Sequence, residues 1–168
     1  MRQALSRRIG ALGTVAVLGF GGLGLFPSCI PRAPRITSGV APTTSTIVQL
    51  VNRARAAAGV APVTEVSSLD SAALTQSYNQ ALQHTMTHTG PDGSNAGQRI
   101  TNAGYSWSTW GENVAAGQVG PDAVMTAWMN SPPHKANILS ASFSGIGIAS
   151  LIAANGVTYW TMELAKPG

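Results

Sequence analysis

Apolar residues recur at helical spacing at Ile47, Leu50, Val51, Ala54 and Ala58, after the capping candidates Ser45 and Thr46 and before Gly59, which predicts a first helix there. Ser67 followed three residues later by Asp70 has the form of a capping box; Leu74, Tyr78, Ala81, Leu82 and Thr85 then line one face of a second helix expected to end near Thr87. His84 and His88 are four apart and become neighbours only if helical geometry persists to His88, against the Thr89-Gly90-Pro91 break. Asn95 to Ala103 predicts a short helix closed by Gly104, and Gly120-Pro121-Asp122 opens another through Val124, Ala127 and Trp128. Pro132 disfavours helical geometry at Ser131, so that helix ends near Asn130. Ser131-Pro132-Pro133 then restarts a short turn of helix with His134 close to its N-terminus.

The pattern changes at the C-terminus. Gly145 to Ile152 and Val157 to Leu164 are rich in β-branched and aromatic residues and are separated by Ala153-Ala154-Asn155-Gly156, and Asn-Gly between such runs signals a hairpin. Helices followed by a terminal hairpin predict an α+β domain. Trp128 and Trp160 sit on periodic elements and are expected in the core, whereas Trp107 and Trp110 are read as lying in a loop before Gly111. There they form either a sugar-stacking or apolar wall or packing beneath a cleft.

The first residues have a different design. Arg2, Arg7 and Arg8 form a basic start and Ala11 to Phe26 is an uncharged run containing Gly13, Gly19, Gly21, Gly22 and Gly24, the pattern of a secretory signal and too short and glycine-rich for a comfortable membrane span. Residues 1–28 are therefore read as an export segment, residues 29–43, with Pro31, Pro34 and Pro42, as a linker, and residues 44–168 as the folded domain. Cys29 is the single cysteine; no internal disulfide is available, and its place after the apolar run leaves open a lipid anchor or an incidental thiol. The chain has a pI near 9.8, yet five of its ten Lys and Arg precede residue 44 and the domain carries six acids. Basicity thus belongs to the export segment and linker, and nucleic acid is not an expected partner.

Three compact motifs carry candidate chemistry: His88-Thr89-Gly90-Pro91-Asp92-Gly93-Ser94, Gly111-Glu112-Asn113-Val114-Ala115, and Ser131-Pro132-Pro133-His134-Lys135-Ala136-Asn137-Ile138-Leu139. Each histidine or glutamate alone is an ordinary packing or loop residue; their combination in this order is what singles them out. Together with Arg99-Ile100, Ala103-Gly104-Tyr105 and the stretch from Val124-Met125 to Trp128-Met129, they resemble the CAP superfamily of cysteine-rich secretory proteins, antigen 5 and pathogenesis-related class 1 proteins, most closely its short bacterial SCP-like members. The resemblance covers roughly Thr46 to Leu164. It implies an α-β-α sandwich with a small antiparallel sheet between helices, and a central cleft in which His88, Glu112 and His134 face one another. A further acid of the family pattern would come from the tryptophan helix, where this chain has Ser131 or Asn130.

Two imidazoles and a carboxylate suit zinc or another divalent cation with an open coordination position. His84 has no motif support and is read as a surface residue or one supporting the site from outside. Three function classes follow from the resemblance. The first is a secreted or envelope-attached binding module for a lipid, sterol or cell-wall component, with His88, Glu112, His134, Trp107 and Trp110 as its binding residues. The second is a metal-assisted, peptidase-like hydrolase using a metal-bound water, with Glu112 as base or ligand. The third is a structural or adhesive domain whose cleft is vestigial. Triad chemistry is not supported: Cys29 lies outside the domain, and the domain contains no Gly-x-Ser-x-Gly.

Overall fold

The computed structural model describes residues 40–168, with side chains of the first helix from Thr46 onward. Residues 1–39, which hold the expected export segment, Cys29 and most of the expected linker, lie outside the described residues. In chain order the elements are α1 (Val40–Ala57), β1 (Thr64–Glu65), α2 (Ser67–Gln83), α3 (Ala96–Asn102), β2 (Trp107–Ala116), α4 (Pro121–Asn130), α5 (Pro132–Ile138), β3 (Gly145–Ile152) and β4 (Thr158–Pro167). Among the described residues no helix is long and apolar enough to cross a membrane. The first helix starts earlier than Ser45, with Pro42 in its first turn, where a missing N–H costs nothing because that turn has no intrahelical acceptor.

The strands form one sheet in the order β1-β3-β4-β2. The β3–β4 and β4–β2 pairs are antiparallel and the two-residue β1 is parallel to β3. The expected hairpin closes through Ala153 and Gly156: Ala153 N–H donates to Val157 O at 2.8 Å, and Gly156 takes a φ of 83° that glycine adopts without strain. Alternate residues of β4 serve opposite layers. Trp160, Met162 and Leu164 pack with Ile47, Val51, Val124 and Trp128 of α1 and α4, while Ala165 packs with Leu69, Ala72 and Ile100 of α2 and α3. Trp128 and Trp160 are both buried, as their periodic positions predict.

Helix α2 departs from its predicted orientation. Leu74, Tyr78 and Leu82 are 41%, 41% and 55% exposed, and the face that meets the sheet is Leu69, Ala72, Ala73, Gln76, Ser77, Gln80 and Ala81. Close approach decides this. A Cβ on Gly147 of β3 would overlap the Leu69–Asp70 backbone, so only a face of small side chains can lie this near the sheet. Two of its polar members bond to the sheet: Ser77 Oγ donates to Ala149 O at 3.2 Å and Gln80 Nε2 to Thr161 Oγ1 at 3.0 Å. The Ser67–Asp70 capping box does not form, because Asp70 Oδ1 instead accepts from Ile148 N at 2.8 Å on β3. The helix also stops before Thr87, at a left-handed His84 with φ 52°, so His84 and His88 do not share a helical face.

A buried arginine ties the opposite layer together. Arg55 of α1 is 1% exposed and donates to four backbone carbonyls: Nε to Ala61 at 2.7 Å, Nη1 to Ile138 and Ser140 at 2.8 Å, and Nη2 to Phe143 at 3.1 Å. Burial pulls its guanidinium below the ordinary arginine range. We predict that Arg55→Met, which keeps the aliphatic bulk but leaves these carbonyls unpaired, destabilises the domain by roughly 3 kcal/mol or more, read as a lowered midpoint in urea unfolding at unchanged slope.

Candidate functional site

The site is built on β2, an edge strand of the sheet. Where the sequence pattern suggests a loop for its first residues, Trp107 and Trp110 lie in the strand itself. No clean alternation marks β2, because it carries polar residues inward and is covered on both faces by helices. An edge strand has outward-facing carbonyls that need partners, and here side chains supply them. Asn137 Nδ2 of α5 donates to Glu112 O at 3.3 Å, and Trp128 Nε1 of α4 donates to Val114 O at 3.2 Å. Asn113 completes the dock: its Nδ2 donates to His134 O at 3.1 Å, and its Oδ1 accepts from Asn137 Nδ2 at 2.8 Å. The two asparagines thus fix the His134 segment beside Glu112.

The carboxylate of Glu112 is fully engaged. Its Oε1 lies 2.7 Å from His88 Nδ1, and its Oε2 accepts from Arg99 Nη2 at 2.6 Å. The Arg99 and Glu112 side chains are each 2% exposed, whereas that of His88 is 59% exposed. Arg99 sits on α3, which begins in a reciprocal capping box between Asn95 and Gln98. From there its guanidinium also holds the His88 loop, with Nη1 donating to Ser94 O at 2.9 Å and Nη2 to His88 O at 3.1 Å. With Nδ1 committed to Glu112, the His88 ring turns Nε2 outward.

The electrostatics separate the two histidines. The hydrogen bond to Glu112 raises His88 above the ordinary histidine value, because the carboxylate favours the imidazolium. Burial, and then the charge of nearby His88, lowers His134. The structure therefore brings His88, Glu112 and His134 together, with Arg99 as the partner of the acid. Trp107 and Trp110 stand further along the same strand against α3, and His84 is an exposed helix end.

One acid escapes the motif reading. Glu163 of β4 is the cross-strand partner of Glu112, so both side chains occupy the same face of the sheet. It is 0% exposed, and neither of its carboxyl oxygens has a hydrogen-bond partner among the described residues. Burial first, and the charge of Glu112 second, push it well above the usual carboxylate range, because both disfavour its charged form. The signal available in the sequence was a lone carboxylate in the otherwise uncharged run Tyr159-Trp160-Thr161-Met162-Glu163-Leu164-Ala165. The tryptophan-helix position lacks an acid, and one approaches the site from the last strand instead.

As a metal centre the geometry is incomplete. Glu112 has no free oxygen beyond its bonds to His88 and Arg99, and the described residues contain no group of three or more His, Cys, Asp or Glu side chains disposed to hold an ion. The imidazoles of His88 and His134 remain as two nitrogen donors, one fewer than a three-ligand catalytic zinc set requires.

Comparison with known proteins bears on the whole domain. The Cysteine-rich secretory protein (CAP) family profile matches residues 48–164. The chain is 31% identical over 117 residues to the uncharacterized protein YkwD of Bacillus subtilis (strain 168), covering 70% of this chain and 44% of that protein; it spans less than half of that relative's length. Among solved structures, an outer surface protein of Borrelia burgdorferi superposes with a TM-score of 0.68 at 22% identity, over 74% of this chain and 92% of its own. An extracellular SCP-domain protein of Bacillus anthracis strain Ames gives 0.69 at 20% identity, over 76% of this chain and 41% of its own. These likenesses support the α-β-α sandwich.

Two outcomes follow from the buried charges. Arg99→Met leaves Glu112 without its guanidinium and should cost about 3–5 kcal/mol, measured by chemical unfolding, with larger loss than any single exposed charge removed from the domain. Glu163 behaves oppositely with pH. Its folded pKa lies above the unfolded value, so the folded state binds the extra proton, and this contribution to stability is lost as pH rises from about 4.3, the unfolded value, through the raised folded one. Glu163→Gln should remove that alkaline loss, so the mutant should gain stability relative to the parent as pH rises, whatever their difference in acid; a difference independent of pH would show that Glu163 ionises normally.

Proposed function

Because the chain belongs to the Cysteine-rich secretory protein family, we propose that it acts outside the cytoplasm, secreted or attached to the cell envelope, as a binding module for an envelope component held at the His88–His134 cleft. The component would be a lipid, a sterol or part of the cell wall. The extracellular setting is supported by relatives of the same fold described as an outer surface protein and an extracellular protein. The observation that carries binding over hydrolysis is the seclusion of Glu112, whose side chain is 2% exposed and bonded through both oxygens to His88 and Arg99, so that no lone pair faces solvent. A general base needs a free lone pair aimed at water, and a metal-assisted hydrolase needs a third ligand. Glu112 offers neither and acts instead as the group that orients the His88 ring.

What the cleft presents is a matched pair of imidazoles. Glu112 keeps His88 protonated to higher pH, so Nε2–H donates; burial and the His88 charge keep His134 neutral to lower pH, so it accepts. Both conditions hold in an interval around about pH 6.5, the ordinary histidine value. Above it, deprotonated His88 turns Nε2 into an acceptor; below it, His134 gains a proton and loses its lone pair.

Binding of the purified protein to isolated cell walls and to vesicles of envelope lipid, measured from about pH 5 to about pH 8, should therefore follow a bell centred near neutrality. His88→Ala and His134→Ala should each weaken it by roughly tenfold, as expected for loss of one charge-assisted hydrogen bond. A flat pH profile with full binding by both variants would remove the ligand from this cleft. Turnover of a peptide or ester that requires zinc and vanishes in Glu112→Gln would replace the binding module with the hydrolase.

A further inference from the structure

Beyond this cleft, the far side of α3 faces an open trough of about 480 Å3, within the range of roughly 300–1,000 Å3 common to small-ligand sites. Two kinds of side chain line it: the carboxamides and hydroxyl of Asn95, Gln98, Asn102 and Thr101, and the indoles of Trp107 and Trp110. No Lys or Arg lines it. Asp92 is its charged member, and its carboxylate accepts from Ser94 N at 3.0 Å.

The aromatic wall is pre-built. Trp107 Nε1 donates to Thr101 Oγ1 at 2.9 Å and to Gly97 O at 3.1 Å, which fixes that ring. Trp110 stands perpendicular to it, with ring centroids 6.3 Å apart and planes at 88°. Gly97 makes the arrangement possible: a Cβ there would overlap the Trp110 indole nitrogen and come within 3.0 Å of Trp107 Cζ2. The amides are equally prepared. The capping box uses the carbonyl oxygens of Asn95 and Gln98, at 2.9 and 3.0 Å from the backbone N–H groups they accept. Their NH2 groups, both ends of the Asn102 amide and the Trp110 N–H have no partner among the described residues. Rigid indoles beside fixed amides with free donors bind without a large ordering cost.

We propose that this trough is a saccharide subsite that takes a neutral oligosaccharide chain, one pyranose ring laid on the Trp107–Trp110 wall and its hydroxyls read by Asn95, Gln98 and Asn102. A sugar ring has an apolar C–H face that suits an indole and a rim of hydroxyls that each donate and accept, matching amides with both functions. A phosphorylated or uronic chain would meet Asp92 in a lining that offers no Lys or Arg, the nearby Arg99 being committed to Glu112. An acyl chain would leave the amide donors buried and unpaired. The inference goes beyond the His88–His134 reading and does not depend on it, since none of its residues contacts that imidazole pair.

The test is titration of the full chain, by calorimetry and tryptophan fluorescence, with two neutral tetrasaccharides, a β-linked N-acetylglucosamine tetramer and cellotetraose, and with tetragalacturonate as the anionic control. At least one neutral tetrasaccharide should bind saturably at millimolar or tighter dissociation constant and the uronate more weakly. Trp110→Ala should weaken binding about tenfold and Asn102→Ala, an exposed residue outside the core, several-fold, while Trp110→Phe restores part of the loss. No saturable binding of either neutral tetrasaccharide, tighter binding of the uronate, or an unchanged dissociation constant in a folded Trp110→Ala/Asn102→Ala variant would overturn the proposal. Loss of saccharide binding with the bell-shaped envelope binding intact would leave the His88–His134 reading standing alone.

Discussion

A carboxylate removed from water must be matched, and the buried Glu112 is the group around which this domain arranges itself. Arg99 neutralises one oxygen at 2.6 Å and His88 takes the other at 2.7 Å. Desolvating both members of such a pair costs several kcal/mol each, so the arrangement holds only where geometry is good and the remaining donors are used. Arg99 meets that condition in part: its two terminal nitrogens also grip the carbonyls of Ser94 and His88, while its Nε stays unpaired among the described residues. The same side chain therefore closes the loop that carries one histidine, fastens α3 to the sheet and sets the charge of the cleft. Burial and the Glu112 charge shift Glu163 beside it toward its neutral form, which limits the negative charge that the low-dielectric interior has to tolerate.

The second constraint is the edge strand. β2 has to expose its outer carbonyls somewhere, and the chain meets them with an asparagine from α5 and an indole from α4. That solution has a functional side effect: docking α5 onto the edge through Asn113 and Asn137 brings His134 round the rim of the sheet to the side where His88 and Glu112 sit. Edge protection and site assembly are one set of hydrogen bonds. On the far layer, Gly147 and the small face of α2 set the helix-to-sheet distance, and the larger apolar residues of that helix are turned to solvent as a result.

These features also explain why the two halves of α3 point to different chemistry. Its buried side supplies Arg99 to the ion pair, and its exposed side supplies Gln98, Thr101 and Asn102 to the trough beneath Trp107 and Trp110. A helix of only 7 residues is kept in place by its capping box and by the two indoles resting on Gly97. Directional hydrogen-bond groups held on so short and well-fastened a support suit recognition of polar ligands.

Much was legible in the chain itself. The terminal hairpin followed from Asn155-Gly156 between β-rich runs, α4 from Gly120-Pro121-Asp122 and the stop before Pro132, and the cores at Trp128 and Trp160 from periodicity, because these depend on local backbone preference and burial alone. His88, Glu112 and His134 were legible as a set because three motifs in fixed order constrain one another. The face of α2 was not, since apolar spacing at Leu74, Tyr78 and Leu82 says nothing about how near a sheet bearing Gly147 will come. Strand β2 was missed for a related reason: a strand that carries a site inward has no alternation to read. Nor could the sequence assign partners to the charges. That Asp70 serves β3 rather than its own helix, that Arg99 pairs with Glu112, and that Glu163 sits opposite it were decided by strand register and the low dielectric of the interior, which act between residues far apart in the chain and leave no local trace.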